Sequence, residues 1–174
     1  MSGSPRLILV GAVDLSSALS RIAWAVGWRA FVVDPRGELA TPERFPNAER
    51  VVVAAPGPGF AELGGLDADT AVAALAHDPE LDDPALLLAL ASDAGYIGAL
   101  GSRAAQAERR ERLLAAGATE AQLQRINAPI GLDLGGRTHP EMALSAMAEI
   151  VAVRHGREGG RLGRGSGPIR AADA

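Results

Sequence analysis

Apolar and polar positions along this chain fall into two alternating kinds of segment. Arg6-Leu7-Ile8-Leu9-Val10, Arg29 to Val33, Arg50 to Ala54, Thr70 to Ala76 and Tyr96 to Leu100 are short and apolar almost throughout. That pattern predicts strands buried on both faces of a parallel sheet. Between them the spacing changes to three and four. Leu15, Ala18, Leu19, Ile22, Ala23 and Val26 share one helical face, and Gly27 stands where a C-cap belongs. Thr41-Pro42-Glu43-Arg44 predicts a short helical turn, and Pro56-Gly57-Pro58-Gly59 reads as a loop. Asp83-Pro84 reads as an N-cap and first helical residue, with a helix through Leu90. A helix from Ser102 is expected to reach about Ala116, with Gly117 as its stop. Thr119 with Gln122, and Thr138 with Glu141, have the spacing of capping boxes; the second opens a helix to about His155. Ala128 to Gly136 reads as a loop or a short strand.

Strand and helix alternate, so the expected fold is α/β: a Rossmann-like, doubly wound parallel sheet in a single domain. That domain is expected over residues 1–155. Residues 156–174 are rich in Gly and Arg, lack an apolar period and are expected to form a disordered tail. The length of 174 residues suits one domain. Hydrophobic residues make up 48% but aromatics only 3%, so the core must be built from small aliphatic side chains.

Charge and composition then exclude several chemistries. The net charge is −4 with no long basic run, which speaks against nucleic acid and against an anionic membrane surface. All 17 basic residues are Arg, so neither Schiff-base chemistry nor a P-loop lysine is available. There is no Cys, hence no disulfide, thiolate metal site or persulfide. His77, His139 and His155 are too scattered to suggest a metal site. With no spanning apolar run and no signal-peptide pattern, a cytoplasmic protein is expected.

Candidate binding residues gather at the predicted strand ends, where ligands bind in such sheets. The stretch Gly95-Tyr96-Ile97-Gly98-Ala99-Leu100-Gly101-Ser102-Arg103 is strand, tight turn, helix start. A helix start presents free N–H groups and a positive dipole end to an anion. Gly98 and Gly101 would admit a ligand to the backbone, and Ser102 and Arg103 suit phosphate oxygens. The first turn reads Gly11-Ala12-Val13-Asp14-Leu15-Ser16, which keeps only the first glycine of a dinucleotide fingerprint. Val13 would obstruct a pyrophosphate, and Asp14 would compete with it for the helix start. Asp34, 23 residues after Gly11, stands where an acid would bond a ribose hydroxyl, or else serves as a turn residue before Pro35. His77 with Asp78 could orient a ligand, or be a turn residue with a capping acid.

Three separated segments resemble the Rossmann domain of the XdhC/CoxI family: Gly95 to Arg103, Ala128-Pro129-Ile130-Gly131-Leu132-Asp133-Leu134-Gly135-Gly136-Arg137-Thr138, and Ala148-Glu149-Ile150-Val151-Ala152. Val33-Asp34-Pro35-Arg36, Ala40 to Pro46, His77-Asp78 and Asp82 to Leu86 fit the same family in the same order. The resemblance covers residues 6 to 155. It implies an accessory factor in molybdenum hydroxylase maturation, for enzymes such as xanthine or carbon monoxide dehydrogenase. Such a factor binds the molybdenum cofactor and supports its sulfuration or insertion, and is expected to be a non-catalytic chaperone. No catalytic residue is assigned. The implied ligand-facing set is Gly11, Asp34, His77, Asp78, Gly98, Gly101, Ser102 and Arg103, with Asp133 as an outlying member. The implied partners are two: a molybdenum hydroxylase subunit, and a second chain supplying the Cys-containing domain that often precedes this one in relatives. The first turn departs from the family's Gly-Ala-Gly-His, and its degenerate glycine fingerprint sets NAD(P) behind the molybdenum cofactor as ligand. The alternatives are an NAD(P)-dependent oxidoreductase and a degenerate Rossmann scaffold or regulatory subunit. Met142, Leu144, Ala146, Met147, Ile150 and Val151 give the last helix apolar surface for core packing or for a homodimer.

Overall fold

The computed structural model describes residues 4–165 and Ile169. Six strands lie in one sheet: β1 (Arg6–Val10), β2 (Arg29–Val33), β3 (Arg50–Val52), β4 (Thr70–Ala74), β5 (Tyr96–Ala99) and β6 (Ile126–Asn127). Every pairing is parallel and the order is β3-β2-β1-β4-β5-β6. The helices are α1 (Asp14–Ala25), α2 (Pro56–Glu62), α3 (Pro79–Leu90), α4 (Arg103–Ala115), α5 (Glu120–Leu123) and α6 (His139–Arg154). The Rossmann-like, doubly wound sheet expected from the sequence is therefore the observed fold.

Successive strand residues point to opposite faces, so the core is two layers. Leu7, Leu9, Val32 and Ala73 meet Leu19 and Ala23 of α1 and Met147 and Ile150 of α6. Ile8, Val10, Val33 and Val72 meet Leu86 and Ala89 of α3, with Phe60, Leu113 and Leu123 from α2, α4 and α5. Burying each Leu or Ile stabilises the fold by roughly 1.5–3 kcal/mol. On α6, Ala143, Ala146, Met147 and Ile150 are buried, whereas Leu144 and Val153 stay exposed. Among the described residues no helix is long and apolar enough to cross a membrane.

Three local expectations are corrected. Pro56-Gly57-Pro58-Gly59 is the start of α2, not a loop. Both prolines fall in its first turn, where amides have no helical partner to lose. Gly59 also nests against Val33, whose Cγ1 lies 2.5 Å from where a Cβ would stand. Helix α3 starts five residues before the expected Asp83-Pro84 cap. Asp78 is its N-cap, accepting from the Glu80 amide at 3.0 Å, and Pro79 opens the helix while Pro84 lies within it. A sixth strand, two residues long, precedes the glycine-rich segment after Ala128. Residues 156–165 are exposed and carry one turn of 3-10 helix, Leu162–Arg164. The expected disorder at 166–168 and 170–174 lies outside the described residues.

Gly11 is closely confined by backbone at the sheet's C-terminal edge. Its φ is +108°, and a Cβ there would stand 2.7 Å from both Ala76 N and Ala76 Cα. Gly11→Ala should lower the unfolding free energy by about 2–4 kcal/mol, because backbone strain and a backbone clash combine. Denaturant unfolding of parent and variant checks this.

Candidate functional site

Strand order reverses between β1 and β4, so the ligand crevice of this fold lies beyond their C-terminal ends. The β1–α1 turn forms its first wall. The Gly11 amide donates to Val33 O at 3.0 Å, and Ser16 Oγ donates back to Gly11 O at 2.6 Å. Asp34, at the end of β2, is fully buried beside this turn. Its Oδ2 accepts from the Ala12 amide at 2.7 Å and Arg36 Nη2 at 2.6 Å. Its Oδ1 accepts from the Arg36 amide at 2.8 Å and Arg36 Nε at 2.9 Å. Two acceptor positions per oxygen are thereby filled. Burial pushes this carboxyl up, but the bonds from Arg36 and Ala12, with the Arg36 charge, outweigh it and hold Asp34 below the usual range. A ribose hydroxyl would have to displace Arg36. In front of α1, Arg44 Nη1 donates to Ala12 O at 3.0 Å and Leu39 O at 2.9 Å, and its Nη2 lies 3.4 Å from Asp14 Oδ1.

The opposite wall is the β4–α3 turn. His77 is exposed and holds a φ of +58°, a left-handed conformation uncommon outside glycine. Asp78 caps α3 and faces the Arg36 charge, so β2 and β4 ends meet electrostatically across the crevice. Gly11, Asp34, His77 and Asp78 thus fall together around the switch point.

The remaining predicted residues border a neighbouring cleft. Within β5, the place of a Gly98 side chain is taken by Tyr96 Oη and Ile130 Cδ1, 2.7 and 2.8 Å from where a Cβ would be. Its missing side chain therefore serves packing inside the fold. Gly101 has a φ of +133°, and its carbonyl accepts from Gln106 Nε2 at 3.2 Å. Ser102 caps α4, accepting from the Ala105 amide at 3.2 Å. Arg103 opens that helix, is exposed and has no hydrogen bond or ion pair among the described residues. It lines a cleft of about 410 Å³ with Leu15, Leu100, Ile130, Asp133 and Met142. Asp133, outlying in sequence, is thus brought to the same cleft as Arg103.

Several residues that build this site were not singled out from the sequence. The Tyr96 hydroxyl donates to Glu149 Oε1 at 2.5 Å, and the same oxygen accepts from the Gly131 amide at 3.1 Å. Ser145 Oγ donates to Leu132 O. Residues 130–132, one wall of the cleft, are therefore fastened to α6. A tyrosine inside an otherwise apolar strand is the one signal that pointed there. Asp82 on α3 and Arg109 on α4 are buried between the two turns, 3.5 Å apart. Burial pushes the Asp82 carboxyl up to about 6 despite the attraction of Arg109 and amide bonds from the β4–α3 turn. Among the described residues no group of three or more His, Cys, Asp or Glu could hold a metal ion.

Comparison with known proteins matches residues 7–150 to the XdhC Rossmann domain. A probable xanthine dehydrogenase subunit of Bacillus subtilis is 32% identical over 150 residues, 86% of this chain and 43% of that protein. The molybdenum cofactor insertion chaperone PaoD of Escherichia coli is 36% identical over 89 residues, 51% of this chain and 28% of its own. A crystal structure of a xanthine dehydrogenase from Bacillus halodurans superposes with a TM-score of 0.76 at 27% identity, over 97% of this chain and 46% of that one. The chain thus spans less than half the length of each of these relatives.

The saturated Asp34 carboxylate makes a pH-dependent contribution to stability. Its native pKa lies below its unfolded value, so its stabilisation is complete above the usual carboxyl range and lost as pH falls through the depressed native value. Asp34→Asn should lower the unfolding free energy by about 3 kcal/mol at pH 7. That difference should shrink below about pH 4. Urea titrations of parent and variant at pH 7 and pH 3 read both effects.

Proposed function

The chain belongs to the XdhC family, whose Rossmann domain it carries, and we propose from that premise that it serves molybdenum hydroxylase maturation as a binding domain. In this reading it receives the molybdenum cofactor and passes it to a hydroxylase subunit, with no turnover of its own.

The observation that carries the reading is Arg103. A guanidinium without a partner among the described residues, at the start of a 13-residue helix and on the rim of a 410 Å³ cleft, suits a phosphate group. Ser102 adds a hydroxyl at the same helix start. The donor set fits the phosphate end of a pterin cofactor: a hydroxyl, a forked cation and the helix-start amides. The apolar side chains Leu15, Leu100, Ile130 and Met142 line a space for a flat heterocycle. The bound cofactor would bring the metal together with its sulfur ligands. This chain, lacking Cys, would hold the organic part. Asp133 would face the heterocycle's polar edge.

Nothing at the first turn favours the dinucleotide alternative. Asp34 has no free acceptor position for a ribose, and Arg44 with Asp14 stands ahead of α1.

Thermal unfolding with the molybdenum cofactor, AMP, NAD and NADP in separate samples tests the proposal. Ligand at 100 times its dissociation constant stabilises by about 2.7 kcal/mol. A midpoint shift with the molybdenum cofactor is expected, and Arg103→Ala should weaken that binding by about 10- to 100-fold, the worth of a charge-assisted contact. The fold itself should be unaffected by this exposed substitution. A shift with NAD or NADP but none with the molybdenum cofactor would overturn the reading.

A further inference from the structure

Two buried polar atoms lack a hydrogen-bond partner among the described residues: Asp82 Oδ2 and Arg109 Nε. They belong to one ion pair, whose closest approach is 3.5 Å between Arg109 Nη2 and Asp82 Oδ2. That is longer than a charge-assisted hydrogen bond, so the pair attracts without being locked. Orphaned charged atoms inside a fold call for an explanation beyond stability.

The pair's other contacts supply one. Asp82 Oδ1 accepts from the Ala76 amide at 3.1 Å, which ties it to the β4–α3 turn beside His77 and Asp78. Arg109 Nη1 donates to Leu100 O at 3.0 Å and to Gln106 Oε1 at 2.5 Å. Gln106 in turn donates to Leu100 O and Gly101 O. One end of the pair therefore holds the β4–α3 turn, and the other holds the β5–α4 turn from which Ser102 and Arg103 project.

We propose that Asp82 and Arg109 are positioning residues that couple the two turns, so that the ionisation state of Asp82 sets the placement of Gly101, Ser102 and Arg103 and with it the strength of anion binding at that turn. The second half of this proposal rests on the phosphate reading given above. The first half does not.

Every charge facing the pair bears on the sign. Asp82 faces Arg109 from α4. Asp83, its neighbour on α3, lies 3.8 Å from Arg109 Nε and is bonded to Arg112 of α4 at 2.6 Å. Asp78 and His77 lie at the start of α3, and Arg36 approaches Asp78 from the β2 end. When Asp82 is ionised, Arg109 is drawn toward α3 and the β5–α4 turn is held. When Asp82 is protonated, the pull of Asp82 is lost, Asp83 remains committed to Arg112, and the turn relaxes. Anion binding therefore weakens as pH falls through the range in which Asp82 takes up its proton.

The test uses the full chain with isotope labelling. The amide resonances of Gly101 and Ser102 are followed by NMR from pH 8 to pH 5, without ligand. They are expected to shift with a midpoint near 6, where Asp82 titrates, and to lose that titration in Asp82→Asn. His77 is retained in that variant, so any response originating at the imidazole would survive. Amides that do not titrate in the parent overturn the coupling, and this readout needs no variant to fold. Amides that titrate equally in Asp82→Asn overturn it too. Sulfate, whose charge is constant over this range, is then titrated into the parent. Binding about fivefold weaker at pH 5 than at pH 8, and independent of pH in Asp82→Asn, is expected. Titrating amides with no sulfate binding would uphold the coupling of the two turns and overturn both its anion-binding half and the phosphate reading on which that half rests.

Discussion

Strand β1 pairs in parallel with β2 on one side and β4 on the other, and everything else follows from that central position. A parallel neighbour on each side requires crossovers that leave in opposite directions, which puts helices on both faces. Both faces of β1 are then dry, and Leu7, Ile8, Leu9 and Val10 are fully buried. The divergence of the chain beyond Val10 opens the crevice. It also presses the β1–α1 turn against the β4–α3 turn so closely that only a residue without a side chain fits at position 11.

Charge around this crevice and its neighbouring cleft is used in three different ways. Asp34 is saturated: two backbone amides and one guanidinium complete its acceptor positions, and it behaves as a brace between β2 and the first turn. Asp82 and Arg109 are of opposite character, buried yet incompletely bonded. Arg103 is a third case, exposed and unpaired among the described residues. The three states separate structural groups from groups with something left to bind. Among these groups, the unpaired guanidinium stands at the start of α4, on the neighbouring cleft, rather than at the first turn.

Much of this architecture was legible in the chain. Dry strands announce themselves as apolar runs, and both capping boxes, at Thr119 and Thr138, formed as their spacing implied. The errors have physical sources. Pro56-Gly57-Pro58-Gly59 has poor intrinsic helix propensity, yet tertiary packing of Gly59 and Phe60 on the sheet overrides it. Asp78-Pro79 and Asp83-Pro84 carry the same start signal five residues apart, and local sequence does not rank them. The position of Asp34 was readable, but its partners were not, because hydrogen-bond saturation depends on how Arg36 folds back. Asp82 and Arg109 lie 27 residues apart on separate helices, and only the packing of α3 against α4 brings them together. Asp133 could be named only through family likeness, since no local pattern ties a residue in a glycine-rich segment to the start of α4.

The hydrogen bond from Tyr96 to Glu149 has an optical corollary. Tyr96 is the single tyrosine of the chain. Burial, then the bond to Glu149 and its negative charge, all resist loss of the phenolic proton and raise its pKa far above the usual value. A phenolate absorbs ultraviolet light differently from a phenol. In alkaline solution the whole tyrosine absorbance change must therefore await the opening of this one contact between β5 and α6. The wall of the cleft thus contains its own chromophore, silent while the Glu149 bond holds and visible once it breaks.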